Sequence, residues 1–157
     1  MPATFVKGDL FEDTKDLPSP RAFAFAADCS GAMDKGIAVA FKKRWPAFAE
    51  AYRARAEAGK MQLGDVFMWR DGDVVVYALG IQHGEKKAKV STLARALETM
   101  ATRAEGDGVT RITLPRIGAG KGGIDPARVK RVLVETGVVS PVALVVFEQF
   151  VRRAPAP

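Results

Sequence analysis

The residues of this chain best suited to chemistry lie in one late run, Pro115-Arg116-Ile117-Gly118-Ala119-Gly120-Lys121-Gly122-Gly123-Ile124-Asp125-Pro126. Four of the six positions from Gly118 to Gly123 are glycine, so the backbone there can turn sharply and approach a ligand with no Cβ in the way. Asp125 has the chemistry of a helix N-cap and Pro126 that of a first helical residue. A glycine loop feeding a helix N-terminus collects unpaired N–H donors at the positive end of the helix dipole, which makes a site for phosphate.

Two other polar loops follow strand-like runs: Gly8-Asp9 after Phe5-Val6-Lys7, and residues 28–36 after the buried-type run 22–27. The second loop holds two carboxylates, Asp28 and Asp34, and the cation of Lys35. Asp28 suits an Asx-type brace of its own loop, whereas Asp34 is better placed to face a ligand.

Alternating strands and helices must position these loops. A helical pattern begins at Ile37, runs through Phe41 and Trp45, and continues past Pro46 to Gly59. Residues 65–70 and 74–79 read as a hairpin turned at Asp71-Gly72, and 80–89 as irregular. Residues 90–104 carry the 3.6-residue period of an amphipathic helix. A strand at 111–114, a helix from Pro126 to about Thr136 and a strand at 142–147 complete the order. Continuously apolar strands alternating with helices predict an α/β fold, a three-layer α/β/α domain around a mixed, mostly parallel sheet. Ligands in such folds sit at the carboxyl ends of strands, so the three polar loops would share one rim.

A length of 157 residues suits one domain, expected to span residues 1–151 with 152–157 as a flexible tail. No apolar stretch reaches the length of a membrane span and the first residues lack a signal-peptide layout. The single cysteine, Cys29, excludes an internal disulfide and fits a reducing cytoplasm. The single histidine, His83, excludes a multi-histidine metal centre, and neither metal nor cofactor is expected. A net charge of +6 suits an anionic ligand or a nucleic acid, and equally a solubilising surface. The basic residues are scattered, which argues against sequence-specific DNA reading.

Gly118, Gly120 and Gly123 spell G-x-G-x-x-G, with Glu148 near the place of a ribose-binding acid. Only one strand follows, however, where a dinucleotide fold needs several, and no Gly-Lys-Ser/Thr closes the loop as a Walker motif requires. The chain instead resembles the macrodomain family. Val6-Lys7-Gly8-Asp9-Leu10 is similar to that family's opening strand and Gly-Asp pair. Residues 28–38 resemble its loop before the first helix, and Pro115-Arg116-Ile117-Gly118-Ala119-Gly120 its phosphate loop. The terminal ADP-ribose protein glycohydrolases resemble it most, in Gly36-Ile37-Ala38-Val39 followed by Phe41-Lys42-Lys43 and in the Pro-Arg-Ile-Gly run. The resemblance extends from Phe5 to about Phe147.

The resemblance implies a cleft for ADP-ribose, carried alone or on a modified protein or nucleic acid, in a monomer without membrane contact. Asp9 would accept a hydrogen bond from the adenine amino group, with Leu10 beside it and Phe147 flanking the ring; a turn role for Asp9 and plain core packing for Phe147 are the alternatives. Gly118, Ala119, Gly120, Lys121, Gly122 and Gly123 would hold the diphosphate. Ser30, Gly31, Met33, Lys35, Gly36 and Ile37 would wrap the distal ribose, with Met33 either covering it or plugging the core.

The subfamily's hydrolytic pair, a lysine after the middle strand and an acid in the phosphate loop, falls near Ile81-Gln82 and at Gly122, and neither position carries that chemistry. The candidate catalytic residues are therefore Asp34, Gln82, which would orient a water or the ribose hydroxyls, and Asp125, whose N-cap role already explains it. The expected activity is removal of ADP-ribose from modified protein or nucleic acid, with a non-catalytic ADP-ribose reader or an ADP-ribose 1″-phosphate phosphatase as alternatives. Lys86, Lys87 and Lys89 near a helix start oppose its dipole unless an anion offsets them.

Overall fold

Runs of Val, Ala and Phe long enough to be buried on both faces make the strands, and the segments between them carry one apolar stripe each. The computed structural model describes residues 2–84, 86–117 and 123–151. In chain order the elements are β1 (Thr4–Gly8), a 3-10 turn (Glu12–Thr14), β2 (Arg21–Asp28), α1 (Ile37–Arg44), α2 (Pro46–Glu57), β3 (Val66–Asp71), β4 (Val74–Gln82), α3 (Val90–Gly106), β5 (Arg111–Pro115), α4 (Pro126–Val139) and β6 (Ala143–Phe150). The strands form one six-stranded sheet in the order β1-β6-β5-β2-β4-β3. Every neighbouring pair is parallel except the β3–β4 hairpin. This is the mixed, mostly parallel sheet the sequence predicts.

Alternate strand residues enter two separate cores. Ala24, Tyr77, Leu114 and Val146 meet Leu93, Leu97 and Met100 of α3 and Leu133 of α4. Phe23, Phe25, Val76 and Phe147 meet Phe41 of α1 and Phe48 and Tyr52 of α2. The second core is aromatic: Phe25 stacks on Phe41 with ring centroids 4.5 Å apart.

The structure differs from the sequence reading in two places that matter. The helical run from Ile37 to Gly59 is two helices, because Trp45 precedes a proline and sits outside the helical region at φ −131° and ψ 77°. Pro46 then opens α2. Strand β4 also runs on to Gln82, through Gly80. A Cβ on Gly80 would lie 2.9 Å from Cys29 Sγ and from Met61 Cε, so this glycine marks close packing rather than the end of a strand. Gln82 therefore closes a strand instead of lying in an irregular segment. The last helix and last strand are likewise longer than expected, to Val139 and Phe150.

The chain leaves β2 for the helices on one face and leaves the adjacent β5 for α4 on the other. Neighbouring parallel strands whose connections diverge in this way open a crevice beyond their carboxyl ends.

Candidate functional site

After β1, the Asp9 carboxylate caps the turn that follows it: its Oδ1 accepts from the main-chain N–H of Phe11 and of Glu12, both at 3.0 Å. Asp13 returns the contact, accepting from Asp9 N at 3.1 Å. Asp9 is only 5 % exposed, and a carboxylate has sites for more than two donors. A Cβ on Gly8 would run into the Asp13 carboxylate and lie 3.1 Å from Phe147 Cε2. Phe147 itself is 5 % exposed and Leu10 is fully buried, so both belong to the core beneath the rim. Leu10 can offer a ligand only its main chain.

After β2, Asp28 braces its loop as the sequence suggests. Its Oδ1 accepts from Ser30 N at 2.9 Å, and also from Gly84 N at 3.1 Å, which joins two rim segments. Its main-chain oxygen accepts from Gly31 N at 3.0 Å and from the Tyr52 hydroxyl at 2.6 Å. Gly31 at φ +93° and Gly36 at φ +58° occupy the left-handed region, where a Cβ is penalised. At Gly31 a Cβ would also lie 3.1 Å from that of Ala56. Met33 plugs the α1–α2 core, while Ser30, Asp34 and Lys35 are exposed and Ile37 is half-buried. The outer side of this loop, from Gly31 to Asp34, borders a groove of about 810 Å³ that also touches Lys42, Lys43, Glu50 and Arg53.

After β4, Gln82 stands beside Asp28 in the parallel ladder. Its Nε2 donates to Gly84 O at 3.2 Å and Lys86 O at 3.4 Å, so its amide braces the turn that follows. Sequence reasoning missed this task, as it missed that of Tyr52; the alternating pattern of β4 up to Gln82 was the available signal. After β5, Arg116 is exposed and Ile117 buried. Asp125 caps α4 as predicted, accepting from Ala127 N at 3.1 Å. The expected phosphate contacts Gly118, Ala119, Gly120, Lys121 and Gly122 lie outside the described residues; Gly123 lies within them and is exposed.

The three loops named from the sequence thus meet at one rim, joined there by the β4–α3 segment. Beneath it, burial and the neighbouring Asp28 carboxylate push the Cys29 thiol up to about 11, so Cys29 is a neutral packing group. Burial raises the Tyr52 phenol as well. Among the described residues no cluster of three or more His, Cys, Asp or Glu side chains could hold a metal ion, and no helix is long and apolar enough to cross a membrane.

Comparison with known proteins agrees with this geometry. The Macro domain family model matches residues 24–133. Human ADP-ribose glycohydrolase OARD1 is 32% identical over 117 residues, covering 74% of this chain and 72% of that protein. The DNA ADP-ribosyl glycohydrolase of Thermus aquaticus is 28% identical over 136 residues, covering 83% of this chain but 36% of that longer protein. The solved macrodomain of Thermus aquaticus DarG superposes with a TM-score of 0.79 at 26% identity, covering 93% of this chain and 97% of that one. With its sheet order, its switch point and its glycine-bearing rim, the chain belongs to the macrodomain family.

Proposed function

We propose that this macrodomain, residues 1–151 with 152–157 as a tail, binds ADP-ribose along its rim and hydrolyses the bond joining the distal ribose to a modified protein or nucleic acid. The observation that carries the reading is the convergence of Gly8–Leu10, Asp28–Ile37 and Gly123–Asp125 at the carboxyl ends of parallel strands. The glycohydrolase names of the relatives support the activity.

In this reading Asp9 accepts the adenine amino group above the Leu10 main chain, with Phe147 as a packed floor. The glycine loop, Gly118 to Gly123 with Ala119 and Lys121, takes the diphosphate. Ser30, Gly31, Met33, Lys35, Gly36 and Ile37 enclose the distal ribose. Cleavage at the anomeric carbon passes through an oxocarbenium-like state, which a nearby carboxylate stabilises. Water supplies the hydroxyl that ends on the ribose and the proton that ends on the released macromolecule.

Of the three candidate catalytic residues, Gln82 holds Gly84 and Lys86 and Asp125 caps a helix. Asp34 is exposed and makes no side-chain hydrogen bond or ion pair among the described residues. It is the carboxylate best able to serve the ribose. The groove beside it leads away between α1 and α2 and gives the modified macromolecule room to leave.

Calorimetry with ADP-ribose tests the cleft, and no binding at millimolar ligand overturns the reading. Release of ADP-ribose from glutamate-modified protein and from modified DNA, run beside an ADP-ribose 1″-phosphate assay, tests the reaction. Binding without release identifies a reader; phosphate release alone identifies a phosphatase.

A further inference from the structure

The segment after β4 is tied down at several points. Gly84 N donates to Asp28 Oδ1 at 3.1 Å, Gln82 Nε2 reaches Gly84 O and Lys86 O, and Lys86 N donates to His83 O at 3.3 Å. These bonds draw the segment onto the rim. From there the stem of Lys87 crosses Gly123: a Cβ placed on Gly123 would lie 3.7 Å from Lys87 Cε and 3.8 Å from its Cγ. Gly123 is the last residue of the glycine loop and stands two positions before the Asp125 cap of α4. The Lys87 ammonium, one bond beyond Cε, therefore overhangs the end of that loop. Among the described residues it has no carboxylate partner, and α3, which follows, carries no acid in its first turn. Its charge is not offset within the described chain.

An ammonium on a flexible stem is a compact point charge suited to phosphate oxygens. We propose that Lys87 is a ligand-binding residue whose ammonium pairs with the diphosphate of ADP-ribose across the glycine loop, and that Asp28 and Gln82 are positioning residues holding its segment within reach. The proposal rests on the reading that the rim binds ADP-ribose. It moves Gln82 from the reacting bond to the support of a binding cation, and it explains why three exposed lysines are tolerated beside a helix start.

The test is titration of the full chain and its variants with ADP-ribose at several salt concentrations. K87A and K87Q are expected to weaken binding about tenfold and to flatten its salt dependence, while K87R stays within about threefold of the parent. Adenosine, which has no phosphate, should bind all of them alike. Q82A should weaken ADP-ribose binding less than K87A, and the Q82A/K87A double variant should be no weaker than K87A alone, because the two act through one contact. Lys87 is exposed, so melting temperatures should barely move. Were one variant to fail to fold, the K87R–K87Q comparison would still isolate the charge. Binding by K87A and K87Q within about twofold of a parent that itself binds ADP-ribose overturns this inference and leaves the functional reading standing. No binding by the parent overturns both.

Discussion

Around Gly8–Leu10 the rim is continuous with the core, with Asp9 tied into a turn, Leu10 buried and Phe147 leaning on Gly8. Around Ser30–Lys35 it stands in solvent, with Ser30, Asp34 and Lys35 exposed over one buried anchor, Met33. The first region is rigid because its polar groups are satisfied by its own backbone, and a pre-formed site loses little entropy on binding. The second must admit water and a bulky attached macromolecule, so its side chains are free of the core. The difference teaches that the first end couples ligand affinity to folding, whereas the second can change chemistry without changing the fold.

Substitutions can break this contrast. Phe147→Ala should have the largest effect, about 3–5 kcal/mol of lost stability, read as a fall of roughly 10 °C or more in melting temperature. A melting point near the parent's would show that the rim there is not core. Asp9→Ala should cost about 1 kcal/mol for the lost cap and weaken ADP-ribose about tenfold or more by calorimetry. Asp9→Asn keeps an acceptor for the cap and should separate the two losses.

At the other end, Asp34→Asn should leave the melting temperature within about 1 °C, as surface changes do, while slowing ADP-ribose release about tenfold. Equal turnover would remove Asp34 from the chemistry. The smallest effect lies under that loop. The Cys29 thiol titrates at about 11 when folded against 9.0 ordinarily, so above pH 9 the unfolded chain sheds its proton first. The Cys29 contribution to stability should then decline as pH rises between those two values, and Cys29→Ala should lessen the slope of denaturation against pH. Rapid alkylation of the native thiol at pH 8 would contradict a dry floor beneath the loop.

Much of this was legible in the sequence. The Asp71-Gly72 turn, the Asp125 cap and the glycines at 31 and 36 act through their own neighbours, so a few adjacent residues reveal them. Asp28 was legible in part, since its bond to Ser30 N is local while its bond to Gly84 N crosses the sheet. Gln82 was misread because Gly80 looks like a break until Cys29 and Met61 are seen to press against it. Likewise nothing local in Leu10 or Phe147 says that their side chains turn into the core.

The sequence by itself determined the order of elements, the three-layer class and the positions of the polar loops, because periodicity, caps and glycine turns are written within single turns or strands. Only the tertiary structure decided which polar groups are spent on bracing and which are left to meet a ligand. Asp28 meets Gly84 across 56 positions, and Lys87 meets Gly123 from another strand's end. Such contacts depend on how parallel strands register in the sheet, which no short stretch of sequence contains.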